Sequence, residues 1–437
     1  MLDIAFIREN TDRVKEAVRA KGKEVDIEAL LSLDTKRRAL QTRVDTLRAE
    51  KNAASAKIAR CTDAAEREKS IAAVTQVKTE LAAVQEELRT VTQQRDELLY
   101  AVPNVTDPAM PVGADEKDNV VLRTWGEKPS FDFTPREHHE IATERGWLDT
   151  QKAAQVSGSR FWYLKGALVH LQWALHQFAL RMLTDEHHIA QVAQHANLGH
   201  VSTAPFEPIL PPMMIRREVH QAIHRVFGDQ TYRVEGEDLN LVASAEHTMA
   251  PYHMEEIIDE SELPKRYIGY SSAFRREAGT YGKDMKGFFR GHQFEKTELE
   301  SFTTAEDGAD EQRLIVALQE DLVQQLNLHY RVVQVCTGDT GAPDYQQFDI
   351  ETWMPGQNAY RETHTSDYMT DYQTRGIRSR YRQKDGTVRY LHTNDATAFA
   401  GRTLIAIIEQ YQTAKGTVRT PEVLRPFLPS SLRTELY

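Results

Sequence analysis

The chain has 437 residues, 40% hydrophobic and 27% charged, with a formal net charge of -11. That is ordinary globular material, long enough for two or more domains, and its acidic balance excludes a protein that binds nucleic acid through overall charge while leaving room for a local basic surface. Two distant cysteines, Cys61 and Cys336, exclude a disulfide framework and a Cys-based zinc site, and fit a reducing cytosol.

The N-terminal stretch MLDIAFIRENTDRVKEA has no signal-peptide h-region. No later stretch approaches the roughly 20 apolar residues of a membrane span. A cytoplasmic protein without a membrane is expected. From Asp34 to about Arg60 there is no proline or glycine, and Leu40, Val44, Leu47, Ala54 and Ile58 step by four and three. After the polar stretch CTDAAEREKS, the same steps return at Val74, Val77, Leu81, Val84, Leu88, Val91 and Leu98, with Arg95 in the one gap. This is a heptad pattern on two helices, each roughly 40–50 Å long, joined as an antiparallel hairpin. So narrow a hairpin has little core and should project as an arm. Its first helix carries Lys36, Arg37, Arg38, Arg43, Arg48, Lys51, Lys57 and Arg60 against Asp34, Asp45 and Glu50. Charge patterning alone favours a solvated surface, with a grip on an acidic polymer such as RNA as the sharper alternative.

The stretch YAVPNVTDPAMPVGADEKDN, with three prolines and a glycine, marks a linker. It divides an N-terminal domain, 1–104, from a body, 105–437. In the body, VHLQWALHQFALRMLTDEHH reads as one amphipathic helix. YRVVQVC, QQFDIETWM and VRYLHT read as strands, and GRTLIAIIEQYQ as a helix. Strands that mostly follow one another through hairpins predict an antiparallel sheet with flanking helices, an α+β fold.

The segments RYIGYSSAFRREAG and GFFRGHQFEKTELESF read as two antiparallel strands around the loop TYGKDMKG. Alternation places Arg290, His292, Phe294, Lys296 and Glu298 on one face, and Arg275 and Glu277 together on the first strand. Such a face is too costly to bury and is expected to meet water or a polar ligand. Arginine forks suit phosphate or carboxylate, a ring suits a flat base, and a carboxylate suits an amine. A nucleoside triphosphate beside an amino acid fits that set; a solvated hairpin with chance charges is the alternative.

FRREAG, a loop and then RGHQFEKTE resemble motif 2 of class II aminoacyl-tRNA synthetases in the form found in seryl-tRNA synthetases. LRAEKNAASAKI, VSGSRFWYLKG, ELPKRYIGY, WMPGQNAYRE, RQKDGTVRYLHT and GRTLIAII resemble that family at matching places, so the resemblance covers nearly the whole chain. It implies a class II antiparallel β-sheet flanked by helices, with an N-terminal α-helical coiled-coil arm. It also implies a homodimer, with Pro211 or Pro212 as the motif 1 proline. The activity implied is ATP- and Mg2+-dependent activation of L-serine and its transfer to tRNA-Ser, with tRNA-Sec left open. The arm would hold the tRNA variable arm, and Arg37, Arg38, Arg43, Arg48, Lys51 and Lys57 are the candidate contacts.

Residue by residue, Arg275 resembles the arginine bridging the amino-acid carboxylate and the α-phosphate. Glu277 resembles the reader of the adenine amine, and Arg290 the holder of the γ-phosphate. Phe294 and Arg402 resemble the two faces of the adenine slot, and Arg276 is counted with the ATP set. Arg275, Arg290 and Arg402 are the catalytic candidates. In YRETHTSDY, Glu362 resembles the Mg2+-binding glutamate and Thr365 stands where serine is usual, with Thr363 and His364 beside them in the ATP set. Glu298 resembles the residue that holds the serine ammonium. No protein nucleophile is needed, and His292 and His392 read as hydrogen-bonded sheet histidines rather than general bases.

The family's Thr-x-Glu segment is here Ser244, Ala245, Glu246, and HTNDATAFAGRT is one residue shorter than usual. The simplest alignment puts Thr397 where a hydroxyl faces the substrate side chain and Asp395 where Asn is common. All five join the serine-binding candidates. The rival readings are a non-charging tRNA-binding paralogue, a relative that loads a carrier protein, and a relaxed-specificity synthetase that accepts threonine.

Overall fold

The structure is a computed structural model that describes residues 1–225, 228–277 and 286–437. The chain divides into two compact units, Met1–Val105 and Thr106–Tyr437.

The first unit opens with two short helices, Ile4–Glu9 and Thr11–Ala20, and continues into α1 (Ile27–Arg60) and α2 (Ala64–Ala101). At about 1.5 Å per residue the two long helices run about 51 and 57 Å. The turn between them is shorter than CTDAAEREKS suggested. Asp63 caps α2 by accepting from the Glu66 amide at 2.8 Å, and the Ala, Glu, Arg and Lys that follow are strong helix formers. Val44, Leu47 and Leu81 form the buried seam, with Val77, Val84 and Leu88 packed against it. The register is antiparallel: Lys36 pairs with Glu87 at 2.8 Å, Arg43 with Glu80, and Lys57 with Glu66 at 3.5 Å. Arg95 occupies the heptad gap and reaches the buried Asp34 at 3.9 Å.

The second unit is built on an eight-stranded sheet. Its strands are β1 (Val120–Trp125), β2 (Glu207–Ile209), β3 (Lys265–Phe274), β4 (Gln293–Thr303), β5 (Tyr330–Gln334), β6 (Gln346–Met354), β7 (Ala359–Thr370) and β8 (His392–Ala400). They lie in the order β1-β5-β6-β7-β8-β4-β3-β2. Every pairing is antiparallel except β2 with β3. The unit's longer helices include, in chain order, α3 (Ala167–Leu183), α4 (Glu186–His195), α5 (Gly308–Gln325) and α6 (Gly401–Gln410). Leu171 and Phe178 of α3, Leu314 and Leu318 of α5 and Leu404 of α6 share one apolar core with Leu299, Ile350, Ala396 and Phe399 of the sheet. Burying each such side chain contributes about 1.5–3 kcal/mol.

Two expectations change. The single helix read over VHLQWALHQFALRMLTDEHH breaks after Leu183, because Asp185 turns to cap α4, accepting from the His187 and His188 amides at 2.9 and 3.3 Å. The strand read over VRYLHT is two. Val388–Tyr390 belongs to a three-stranded sheet with Arg380–Arg382 and Ile257–Asp259, while His392 opens β8. Among the described residues no helix is long and apolar enough to cross a membrane.

Candidate active site

β3 ends at Phe274 and β4 begins only at Gln293. The strand face read through Arg290 and His292 is therefore corrected: both precede β4, and Arg275 and Glu277 follow β3. Glu277 has φ 49°, a left-handed conformation in which strand alternation no longer applies. Most of the expected loop TYGKDMKG, through Met285, lies outside the described residues. His292 returns the chain to the sheet, with its carbonyl accepting from the Arg275 amide and its Nδ1 facing the Arg275 carbonyl, each at 3.0 Å. Gly291 is required here, since a Cβ would collide with the Trp162 ring and the Arg160 carbonyl. His392 Nδ1 is engaged with the Tyr368 hydroxyl at 2.6 Å.

A cleft of about 290 Å³ opens over these ends of β3 and β4. Arg275, Glu277, Arg290, Phe294 and Lys296 line one side, and Glu362, Thr363, Thr365, Thr397 and Arg402 the other. The charged groups are matched within it. Arg290 Nε pairs with the Glu277 carboxylate, and Arg402 with Glu362 at 3.1 Å. The Arg275 guanidinium lies 5.1 Å over the Phe294 ring and donates to the Ala243 carbonyl at 3.2 Å. Burial and the nearby Arg402 push the Arg275 guanidinium below its usual range. Desolvation opposes charge on Glu362, but Arg402 and Arg275 outweigh it and hold the carboxyl low.

Two ATP-set candidates lie elsewhere. The Arg276 side chain is exposed and does not line the cleft; its amide is tied to the Gln230 carbonyl at 2.9 Å. His364 is fully buried, 2.9 Å from the Thr363 hydroxyl and 5.7 Å between ring centres from Phe399, and burial lowers its pKa to about 3. Alternation turns His364 to the helix side between Thr363 and Thr365, and a β-bulge, where β6 and β7 slip register between Ile350 and Glu351, brings Glu362 to the cleft with those two threonines.

Of the two alternatives for the charged strand face, water or a polar ligand, open solvent does not apply to Lys296 and Glu298. Lys296 and Glu298 are 7% and 0% exposed. Glu298 accepts from Lys296 Nζ, from the Ser244 hydroxyl and from the Glu246 amide, the last at 3.2 Å. Burial works to raise the Glu298 pKa, but these three donors outweigh it and hold the carboxyl below its usual range. Ala245 is buried behind this contact, packed with Met249 and Phe302. Glu246 Oε1 accepts from Arg225 Nε at 2.5 Å and Gln373 Nε2 at 2.7 Å. Asp395, also buried, lies in register with Glu300 of β4.

Sequence reading missed Arg225, Lys296 as a pairing partner, and Phe289, whose ring sits 4.9 Å beneath the Arg402 guanidinium. Lys296 was legible as the lysine two positions before Glu298 on the same strand face. Arg225 carried no such signal, because its partners Glu246, Asp344 and Asp367 are far away in sequence.

On α1, Arg37 and Arg38 turn toward Asp34 at 3.6 and 3.3 Å, and Arg48 lies 3.8 Å from Asp45. With Arg43 and Lys57 paired across the hairpin, most of the candidate tRNA contacts have an acidic neighbour within the arm.

Residues 1–106 match the family described as Seryl-tRNA synthetase N-terminal domain, and residues 230–411 match tRNA synthetase class II core domain (G, H, P, S and T). The serine–tRNA ligase of Dictyoglomus turgidum is 37% identical over 98% of each chain. That of Deinococcus radiodurans is 39% identical over 98% of this chain and 97% of its own. Among solved structures, the Pyrococcus horikoshii seryl-tRNA synthetase complexed with ATP superposes with a TM-score of 0.86 at 35% identity, covering 100% of this chain and 99% of that one. The cytoplasmic serine–tRNA ligase of Naegleria fowleri in complex with AMP gives 0.80 at 30% identity, over 98% and 97%. With an N-terminal helical hairpin, a class II sheet and a cleft that gathers the motif 2 residues, the chain belongs to the seryl-tRNA synthetase family of class II aminoacyl-tRNA synthetases.

Proposed function

We propose that the chain is a serine–tRNA ligase that activates L-serine with ATP and transfers it to tRNA-Ser. One observation carries the reading: Arg275, Arg290 and Arg402 converge on one cleft, and Lys296 in its lining pairs with the buried carboxylate Glu298. An amino acid set with its ammonium toward Glu298 directs its carboxylate to Arg275. The carboxylate oxygen attacks the α-phosphorus and pyrophosphate leaves. Arg275 and Arg402 bear the charge that develops, and Arg290 holds the triphosphate away from the attacking oxygen. Glu277 reads the adenine amine, with Phe294 and Arg402 supplying flat faces to the base. To engage ATP, Arg290 releases Glu277 and Arg402 releases Glu362, so nucleotide phosphates replace carboxylates as partners.

Glu362 and Thr365 present hard oxygen donors on one side of the cleft, the ligand type that suits Mg2+. Glu362 and Thr365 would hold Mg2+, which would supply neutralisation of phosphate charge. Ser244, Ala245, Glu246 and Thr397 complete the serine site, with Thr397 reading the hydroxyl. Arg37, Arg38, Arg43, Arg48, Lys51 and Lys57 contact the tRNA backbone from residues 1–104, and residues 105–437 carry catalysis. The exposed Leu210, Met213 and Met214 beside Pro211 and Pro212 suit a homodimer interface. A cytoplasmic location fits the substrates. Charging of tRNA-Ser with labelled serine tests the reading. The expected outcome is ATP-dependent charging, whereas tRNA binding without charging returns the non-charging paralogue.

A further inference from the structure

Behind the cleft lining the sheet carries more acid than serine uses. Asp395 on β8 is in direct register with Glu300 on β4 and with Asp367 on β7. Adjacent strands lie about 4.8 Å apart, so three carboxyl groups stand side by side in one lateral row. They are 3%, 0% and 7% exposed, respectively. Like charges placed directly opposite in a sheet destabilise it. Glu300 shares a strand face with Glu298 and Lys296, and Thr397, two residues beyond Asp395, lines the cleft. The row therefore lies behind the cleft lining, on the same strand face as Lys296 and two residues beyond Thr397.

The cations nearby pair with carboxylates other than Glu300 and Asp395. Lys296 pairs with Glu298, and Arg225 pairs with Glu246 while lying 3.4 Å from Asp344 and 3.8 Å from Asp367. Neither oxygen of Glu300 has a hydrogen-bond partner, and neither does Asp395 Oδ1. Burial, then Glu246 and Glu298, push Glu300 well above the usual carboxyl range. Burial, then Glu298 and Glu246, do the same to Asp395 against the opposing pull of Lys296. Among the described residues no three such groups are placed to hold a metal ion.

We propose that Glu300 and Asp395 form a cation-accepting wall of the amino-acid site, so that the cleft also activates serine-shaped amino acids whose side chain ends in an amine, the class of L-2,3-diaminopropionate. The inference rests on the reading of Glu298 and Thr397 as the amino-acid site. The amine has the heavy-atom shape of the serine hydroxyl, so no space must be made. Arriving neutral, it takes a proton that the carboxyl pair holds; arriving charged, it displaces that proton to solvent. Either way an ammonium meets Glu300 and Asp395, and groups now unpartnered gain donors. The chemical step is unchanged: the α-carboxylate attacks the α-phosphorus and pyrophosphate departs.

The test is amino-acid-dependent exchange of pyrophosphate into ATP by the full chain, with serine, L-2,3-diaminopropionate and alanine supplied separately. Diaminopropionate is expected to support exchange within about tenfold of serine, and alanine at least about 100-fold less, because it leaves the Thr397 hydroxyl unpaired. Glu300→Gln should cut kcat/KM for diaminopropionate by about tenfold or more while serine changes by less than about threefold, since only the ammonium needs the charge. In Asp395→Asn the diaminopropionate-to-serine ratio should fall likewise. Serine exchange with none from diaminopropionate overturns the wall and leaves the serine reading standing. Equal losses for both substrates in Glu300→Gln overturn it as well, exposing a purely structural role. Diaminopropionate exchange without serine exchange supports the wall and sinks the serine reading. Exchange with neither overturns both.

Discussion

The two faces of the eight-stranded sheet are made by alternate residues of the same strands, and they solve opposite problems. On the helix face, Leu299, Ala396 and Phe399 bury apolar surface against α3, α5 and α6. On the cleft face, Lys296, Glu298, Glu300 and Asp395 bury charge. The first face gains stability from water exclusion. The second gives stability up, since unpaired buried carboxyl groups cost free energy, and keeps it only where pairs such as Lys296–Glu298 close. Stability resides on one side of the sheet and chemistry on the other.

Removing Glu298 should show the largest effect. Glu298→Ala leaves Lys296 buried without its partner and strips the acceptor from Ser244 and the Glu246 amide. A loss of about 3–5 kcal/mol in urea unfolding is expected, together with loss of serine activation. A variant with unaltered unfolding would break the account of the cleft face. The next residue separates the faces cleanly. Leu299→Ala should cost about 2–5 kcal/mol while KM for serine and ATP stays as in wild type. A change in KM larger than the change in stability would mean that the faces are coupled.

pH sharpens the same contrast. His176 on α3 faces the sheet through Thr297 Oγ1 at 2.6 Å, and burial lowers its pKa from 6.5 to about 4. Its fold-state pKa is depressed, so its stability is present above pH 6.5 and lost as pH falls toward about 4, in total about 3 kcal/mol. Glu300 is raised, so its contribution is present below its ordinary value of 4.5 and is lost as pH rises. Stability measured against pH should flatten on the acid side in His176→Gln and on the neutral side in Glu300→Leu. The latter should also gain about 1–4 kcal/mol near neutrality. Slopes of the same sign for both residues would contradict the contrast. The smallest expected effect is on the arm. Arg43→Ala should leave the melting temperature unmoved and lower the salt dependence of tRNA binding by about one unit of slope. An unchanged slope would return Arg43 to its role as a partner of Glu80.

The helix face was the legible one. QQFDIETWM matches β6 residue for residue, and GRTLIAIIEQYQ overshoots α6 by its last two residues, because periodicity acts locally. The heptads likewise located α1 and α2, and the motif 2 residues do gather in one cleft. What escaped was set by register and by distant partners. Glu362 joins Thr363 and Thr365 on the cleft side because of a bulge between β6 and β7, which no spacing in YRETHTSDY reveals, while His364 turns away by simple alternation. Glu298 was read as facing a ligand or water, and its burial depends on Ser244 and the Glu246 amide, some fifty residues earlier. Asp395 was singled out, but its neighbour Glu300 was not, because they meet only when β8 and β4 pair.

The most direct measurement of the central claim is serine-dependent exchange of pyrophosphate into ATP, comparing the wild-type chain with Arg275→Ala. The account predicts exchange with serine, none without an amino acid, and a fall of about 10²–10³ in kcat for the variant, the size expected when one donor to developing charge is removed. A folded wild-type chain that gives no exchange at saturating serine, or an Arg275→Ala variant that exchanges as well as wild type, would contradict it.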